Sequence, residues 1–256
     1  LFRSESIIAP SKTSFRANFS VRTRKGKSSS NPGKVNQDSF LTQLYFLGRS
    51  DCHLFGVYDG HGVNGHLVSN YIASNLPGVL KSEIQKSNGH IASKVLHLTY
   101  QSIFQGLTKS EIDVSYSGST AVTCLIKGQL LMTANSGDSR AIVGFLDPKG
   151  RPNHMSLSKD HKPDTKAEAH RIHSSGGRIH PFKKINGKFY GPNRVWLANE
   201  DVPGLAMSRA VGDLVASSVG VTWRPEISEY PLSTYDKFIF VASDGVWEHL
   251  SNDDVA

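Results

Sequence analysis

Three short apolar runs in this chain each lead into an aspartate beside a glycine, and that pattern limits the fold more than any other feature. The runs are Leu54 to Tyr58 before Asp59-Gly60, Leu130 to Ala134 before Gly137-Asp138, and Phe238 to Ala242 before Asp244-Gly245. Apolar runs of this length bounded by turn residues read as buried strands. A carboxylate cannot follow such a run into an apolar interior without a partner, so each aspartate marks the place where a strand leaves the core. Carboxylates at several strand ends require a sheet edge that water or cations can reach.

Further strands are predicted at Ala121 to Ile126 and Ala141 to Phe145, and Lys127-Gly128-Gln129 reads as a tight hairpin between the first of these and Leu130. Leu67, Val68, Tyr71, Ile72 and Leu76 recur at helical spacing, as do Ile91, Val95, Leu98, Ile103, Phe104 and Leu107. Each set lays an apolar stripe on a sheet. A third helix is predicted from an N-cap at Asp164 to Gly176-Gly177, and the stretch from Arg178 to Pro203 reads as irregular. Helices clustered between strands, rather than alternating with them, predict an α+β layered fold with a central antiparallel β-sandwich, not a doubly wound parallel sheet.

The net charge of +7 suggests a nucleic-acid partner until it is counted by segment. Residues 1–34 hold eight Lys or Arg against Glu5 alone, which leaves 21 basic and 21 acidic residues in the remainder. The body is electrically neutral, and nucleic acid is not expected as a partner. Arg22, Arg24, Lys25 and Lys27, ahead of a Ser-Ser-Ser-Asn-Pro-Gly stretch, read as a solvated basic loop. Cys52 and Cys124 lack both metal-site and disulfide-framework spacing, which points to a reducing compartment, cytoplasmic or nuclear. No apolar run reaches the length of a membrane span. With 256 residues and 38% hydrophobic side chains, one compact soluble domain is expected, a monomer being favoured.

Converging aspartates suit hard cations. A pair of divalent ions about 3.5–4 Å apart needs several oxygen ligands from separate segments, and rigid strand ends supply them. No His or Cys cluster stands at zinc spacing, so Mg²⁺ or Mn²⁺ is the expected metal.

Seven motifs then carry a family resemblance. Asn36-Gln37-Asp38-Ser39-Phe40, Val57-Tyr58-Asp59-Gly60-His61-Gly62, Ser117-Gly118-Ser119-Thr120-Ala121, Ala134-Asn135-Ser136-Gly137-Asp138-Ser139-Arg140-Ala141, Asp160-His161-Lys162-Pro163, Gly204 through Asp213, and Ala242 through Glu248 resemble, in order, those of the metal-dependent Ser/Thr protein phosphatases of the 2C type. Arg194-Val195-Trp196-Leu197 resembles the plant and protist members. The resemblance implies a β-sandwich flanked by helix pairs, a flap subdomain, two Mg²⁺ or Mn²⁺ ions with a weaker third, and phosphoprotein substrates. Asp59 is then expected to bridge the metals, the Gly60 carbonyl to bind one, Asp244 the other, and Asp38 to act through water. Asp138 and Glu248 match positions linked to the third metal, and His61 the residue that protonates the departing alkoxide. Gln37 stands where many relatives have Glu. The arginine that binds substrate phosphate in many relatives has no match; Lys34 is the nearest candidate, with Arg22 and Arg24 behind it.

The expected organisation is a basic arm and first strand over 1–34, a catalytic domain over 35–256, and a flap over 178–205 within it. Ser251 to Asp254 reads as an S-x-x-D helix start close to the last residue, and the family's later Asp-Asn motif has no match, so the domain is expected to be C-terminally incomplete. The alternative is a catalytically weak phosphatase-like scaffold that binds a signalling partner. It predicts lost ligands, whereas Asp38, Asp59, Asp138 and Asp244 are all present.

Overall fold

A computed structural model describes residues 3–7, 17–26, 33–186 and 188–256. Strands β1 (Arg3–Ile7) and β2 (Ala17–Val21) pair as an antiparallel ribbon. There follow β3 (Asp38–Gln43), β4 (Cys52–His61), helices α1 (Gly65–Lys86) and α2 (Ser93–Thr108), then β5 (Gly118–Ser119), β6 (Ala121–Lys127), β7 (Leu130–Ser136), β8 (Arg140–Leu146) and β9 (Pro152–Ser156). The second half holds α3 (Lys166–Ser174), β10 (Arg178–Ile185), β11 (Lys188–Trp196), β12 (Pro203–Leu205), β13 (Val211–Gly212), α4 (Leu214–Ser217), β14 (Glu226–Pro231), β15 (Asp236–Ala242), α5 (Asp244–Trp247) and α6 (Asn252–Val255).

The larger sheet runs β13-β5-β4-β6-β7-β14, with β3 also paired to β4, and the smaller runs β15-β8-β9. Every strand pairing in them is antiparallel. Alternation along β6 divides its side chains between two layers. Ala121 and Leu125 face the helices, whereas Val122, Cys124 and Ile126 meet Ala141 and Val143 of the smaller sheet. On the helical side Val68, Ile72, Leu76 and Leu80 of α1 recur every fourth residue and are essentially buried. Each such side chain contributes roughly 1.5–3 kcal/mol. Buried Trp247 of α5, with half-buried Phe238 and Phe240, packs beside Ile142 on the outer face of the smaller sheet.

The hairpin between β6 and β7 has a two-residue loop, with Lys127 opposite Leu130 and Gly128 at φ 58°, as II′ geometry requires. Ser251 closes a capping box with Asp254, as its S-x-x-D pattern predicts.

Three expectations need correction. Residues 178–203 are not irregular: β10, β11 and β12 form a three-stranded sheet, with a turn at Asn186, φ 48°. Much of this ribbon lies against solvent, so its Lys, His, Asn and Pro residues never show the alternation that marks a half-buried strand. It shares an apolar core with α3 and α4 through Ile172, Val195, Ala216 and Val219. The α3 N-cap is Thr165 rather than Asp164, while Gly177 does close the helix by bonding to the Ile172 carbonyl at 2.9 Å. Ile91 precedes α2, whose buried face turns toward Leu96, Tyr100 and Ile103. Within the basic arm β1 pairs β2 and Phe19 lies 6.0 Å from the Phe55 ring, while Arg22, Arg24 and Lys25 are exposed and outside any strand. Its Lys27 and the serine-rich stretch that follows, residues 27–32, lie outside the described residues. Among the described residues no helix is long and apolar enough to cross a membrane.

Candidate active site

The site begins with strand register. In the β3/β4 pair Asp38 lies directly opposite Asp59, and residues so placed point to the same face. Asp59 is held from behind: its N–H donates to Thr120 Oγ1 at 3.0 Å and its carbonyl accepts from Thr120 N–H at 2.9 Å. Asp244 arrives from the far end of the smaller sheet as the first residue of α5, and the preceding Ser243 hydroxyl donates to Asp38 Oδ2 at 3.1 Å. Three carboxylates from separate segments therefore adjoin.

Their mutual effect is large. Burial, then the charges of Asp38 and Asp244, push the Asp59 carboxyl up to about 9. Like charges set directly opposite destabilise a sheet, and the largest influences on this group are burial and the two other carboxylates. The donors are hard oxygens, so the arrangement fits Mg²⁺ or Mn²⁺. As placed here, no three His, Cys, Asp or Glu side chains among the described residues stand close enough together to hold a metal ion. The carboxylates are neighbours that a cation would draw in.

Gly60 sits where no side chain fits: a Cβ would come 2.1 Å from the Gly65 carbonyl oxygen and 2.7 Å from that of Gln37. The start of α1 is thereby packed directly against the motif. Gln37 Nε2 donates to the Gly62 carbonyl at 2.6 Å, so this side chain ties down the loop after His61.

Asp138 is buried at the same edge. Its Oδ2 accepts from the Lys162 ammonium, and its Oδ1 is buried with no hydrogen-bond partner. Burial raises its pKa while Lys162 opposes the shift. Asp138 thus has a lysine in contact and also feels the charge of Asp244. Glu248 lies one helical turn beyond Asp244, its N–H bonding the Asp244 carbonyl at 2.8 Å, and its exposed side chain has no partner among the described residues.

His61 ends β4, and its Nε2 lies 2.7 Å from Asp213 Oδ2. Nδ1 is buried without a partner. Burial opposes the imidazolium, but Asp213, aided by Asp138 and Asp244, prevails and holds the pKa above its ordinary value. Lys34 and Arg22 are both exposed. Asn36 Nδ2 donates to Thr23 Oγ1 at 2.7 Å, which lays residues 22–26 beside the strand that enters Asp38. Lys34 Nζ is 3.8 Å from the place a Cβ on Gly26 would occupy.

Two groups escaped the sequence reading. Asp213 is the acidic partner of His61, 152 residues away, and its Gly212-Asp213 pair is another glycine-aspartate at a strand end, the same signal that marked the other carboxylates. Arg140 grips Asp160 with bonds of 2.8 and 2.7 Å, and its guanidinium lies 4.9 Å from the Trp247 ring centroid. Trp247 Nε1 donates to the Ala242 carbonyl at 3.0 Å, which anchors α5 and with it Asp244. No sequence pattern announces that hub.

An antiparallel αββ protein with its carboxylates gathered at one sandwich edge is the class that fold and site define. The protein phosphatase 2C family profile matches residues 20–256. An Arabidopsis thaliana protein designated probable protein phosphatase 2C 72 is 40% identical over 231 residues, 86% of this chain and 68% of that one. Rice probable protein phosphatase 2C 64 is 38% identical over 226 residues, 85% of this chain and 52% of that one. In structure, the serine-threonine phosphatase 2C of Toxoplasma gondii superposes with a TM-score of 0.71 over 99% of this chain and 85% of that one at 20% identity, which speaks for the fold. The chain belongs to the protein phosphatase 2C family.

Proposed function

We propose that this protein hydrolyses phosphoserine and phosphothreonine esters of protein substrates with Mg²⁺ or Mn²⁺ held by Asp38, Asp59, Asp244 and the backbone of Gly60. The observation that carries the reading is the juxtaposition of Asp38, Asp59 and Asp244, with Asp59 pushed up to about 9 by burial and by the other two. A half-buried cluster of mutually repelling carboxylates is costly unless cations complete it. A pair of such ions supplies Lewis acidity toward phosphoryl oxygens and lowers the pKa of water.

The chain's own groups do the rest. Asp213 accepts from Nε2–H of His61, so the second proton of the imidazolium resides on Nδ1, the atom without a partner. The imidazolium so held is the proton source for a leaving alkoxide. Thr120 and Ser243 fix the Asp59 backbone and the Asp38 carboxylate through the bonds described above. Lys34 and the adjoining arm offer cationic groups for a phosphoprotein, as point charges rather than a bidentate fork in the case of lysine. The same reading places the protein in the cytoplasm or nucleus, where Cys52 and Cys124, buried and unpaired, stay reduced.

Phosphate release from a phosphothreonine peptide, measured with Mn²⁺, with Mg²⁺ and after chelation, tests this. Turnover with either metal and none in chelator is expected. Full turnover in chelator after metal stripping would sink the reading.

A further inference from the structure

An open groove of about 570 Å³ lies between α2, α3 and the segment that follows α4. Arg171, Arg209 and Arg224 line it together with Phe104 and Trp223, and no Asp or Glu does. Arg171 and Arg209 share one carboxylate, Glu168, which is 5% exposed behind them. Two guanidiniums on a single carboxylate leave positive charge uncompensated. Arg171 gives Nε to the Gly220 carbonyl and Arg209 gives Nη1 to the Arg224 carbonyl, yet each retains N–H groups beyond the bonds it makes. Arg224 is exposed, and its side chain has no partner among the described residues. Glu226, the next acid along the chain, already stands 3.5 Å from Lys159 and 3.6 Å from His161.

The opposite wall is aromatic. Trp223 stacks on Phe104 at 5.9 Å and lies 5.5 Å from the His97 ring. Arginines beside an aromatic wall suit an anionic side chain next to an apolar one.

We propose that this groove is a second anion-binding subsite that docks phosphoprotein substrates through a phosphorylated or carboxylate side chain flanked by an apolar residue. The proposal rests on the phosphatase reading above. Ser217 of the groove is one turn of α4, about 6 Å along the axis, from Asp213, the partner of His61. An extended peptide advances about 3.3 Å per residue, so a short segment covers that interval.

The test uses Arg224→Glu and Arg224→Lys, since Arg171 and Arg209 hold Glu168 and their loss would disturb folding. The substrates are p-nitrophenyl phosphate, a phosphothreonine peptide with neutral flanks, and the same peptide carrying either a second phosphothreonine or a run of glutamates beside leucine. With Mn²⁺ the anionic peptides should show a KM about tenfold below the neutral one. Arg224→Glu should erase that advantage with kcat and p-nitrophenyl phosphate turnover unchanged, and Arg224→Lys should keep part of it. An advantage for one anionic peptide alone identifies which anion the groove takes. An unchanged KM ratio in Arg224→Glu overturns the proposal. Fluorescence polarisation of a labelled glutamate-leucine peptide without metal judges the groove apart from catalysis: binding lost in Arg224→Glu supports it, and equal binding by both proteins refutes it. Absence of any turnover by the wild-type protein would instead strike the catalytic reading.

Discussion

Asp59, half-buried, and Glu168, buried, are both carboxylates withdrawn from water, and they are driven in opposite directions. Asp59 faces Asp38 and Asp244, and burial plus those charges take it up to about 9. Burial acts the same way on Glu168, but hydrogen bonds from Arg171, Arg209 and Ser208 outweigh it and hold Glu168 well below the ordinary carboxylate range. The neighbours, not the burial, decide the sign. A buried acid with paired arginines holds two segments together, as Glu168 does for α3 and the Ser208-Arg209 strand entry. A half-buried acid among other acids lacks any such partner, which is what marks a candidate functional site.

The sharpest way to break the comparison is to neutralise each acid. Asp59→Asn or Asp244→Ala should reduce Mn²⁺-dependent turnover to background, while apo Asp59→Asn melts no lower than the wild type because a repulsion has gone. Mn²⁺ should raise the melting temperature of the wild type and leave that of Asp59→Asn unmoved. Near-normal turnover of either variant at saturating Mn²⁺ would remove that residue from the site.

Glu168→Gln should do the reverse: it strands two guanidiniums and lowers stability by roughly 3–5 kcal/mol, read from urea unfolding. The acids also part in their pH dependence. Asp59 is raised in the fold, so its contribution is intact below the ordinary aspartate pKa of 3.8 and is lost as pH climbs toward about 9. Glu168 is depressed, so its contribution is intact above the ordinary glutamate value of 4.5 and is lost as acid protonates the folded state. Subtracting the pH–stability curve of each variant from that of the metal-free wild type should show slopes of opposite sign.

A smaller effect concerns proton delivery. His61→Gln should slow alkyl phosphomonoesters by about a hundredfold and p-nitrophenyl phosphate far less, because the nitrophenolate leaves without a proton. Asp213→Asn, which withdraws the charge that raises His61, should move the alkaline limb of kcat to lower pH. Equal losses on both substrates would make His61 structural. The smallest expected change is a few-fold rise in KM for phosphopeptides in Lys34→Ala, checked by initial rates; no change would leave Lys34 without a role at the substrate phosphate.

Much of this molecule was legible in residue order because local chemistry wrote it. Strand ends just before Asp138 and Asp244, the Gly128 hairpin, the Gly177 helix stop and the Ser251 cap each follow from a few adjacent residues whose backbone preferences point one way, whereas β4 runs on through Asp59 to His61 because β3 and β5 pair with it there. The seven ordered motifs carried the family for the same reason. Tertiary structure alone decided the rest. Placing Asp38 opposite Asp59 is a matter of register, set by which face of β3 and β4 packs inward. The meetings of His61 with Asp213, of Lys162 with Asp138 and of Arg140 with Trp247 join residues far apart in the chain, and each forms only when whole layers have packed. The sheet of β10, β11 and β12 stayed hidden because its strands are stabilised by pairing and by a small core shared with α3 and α4, not by any periodic apolar face of their own.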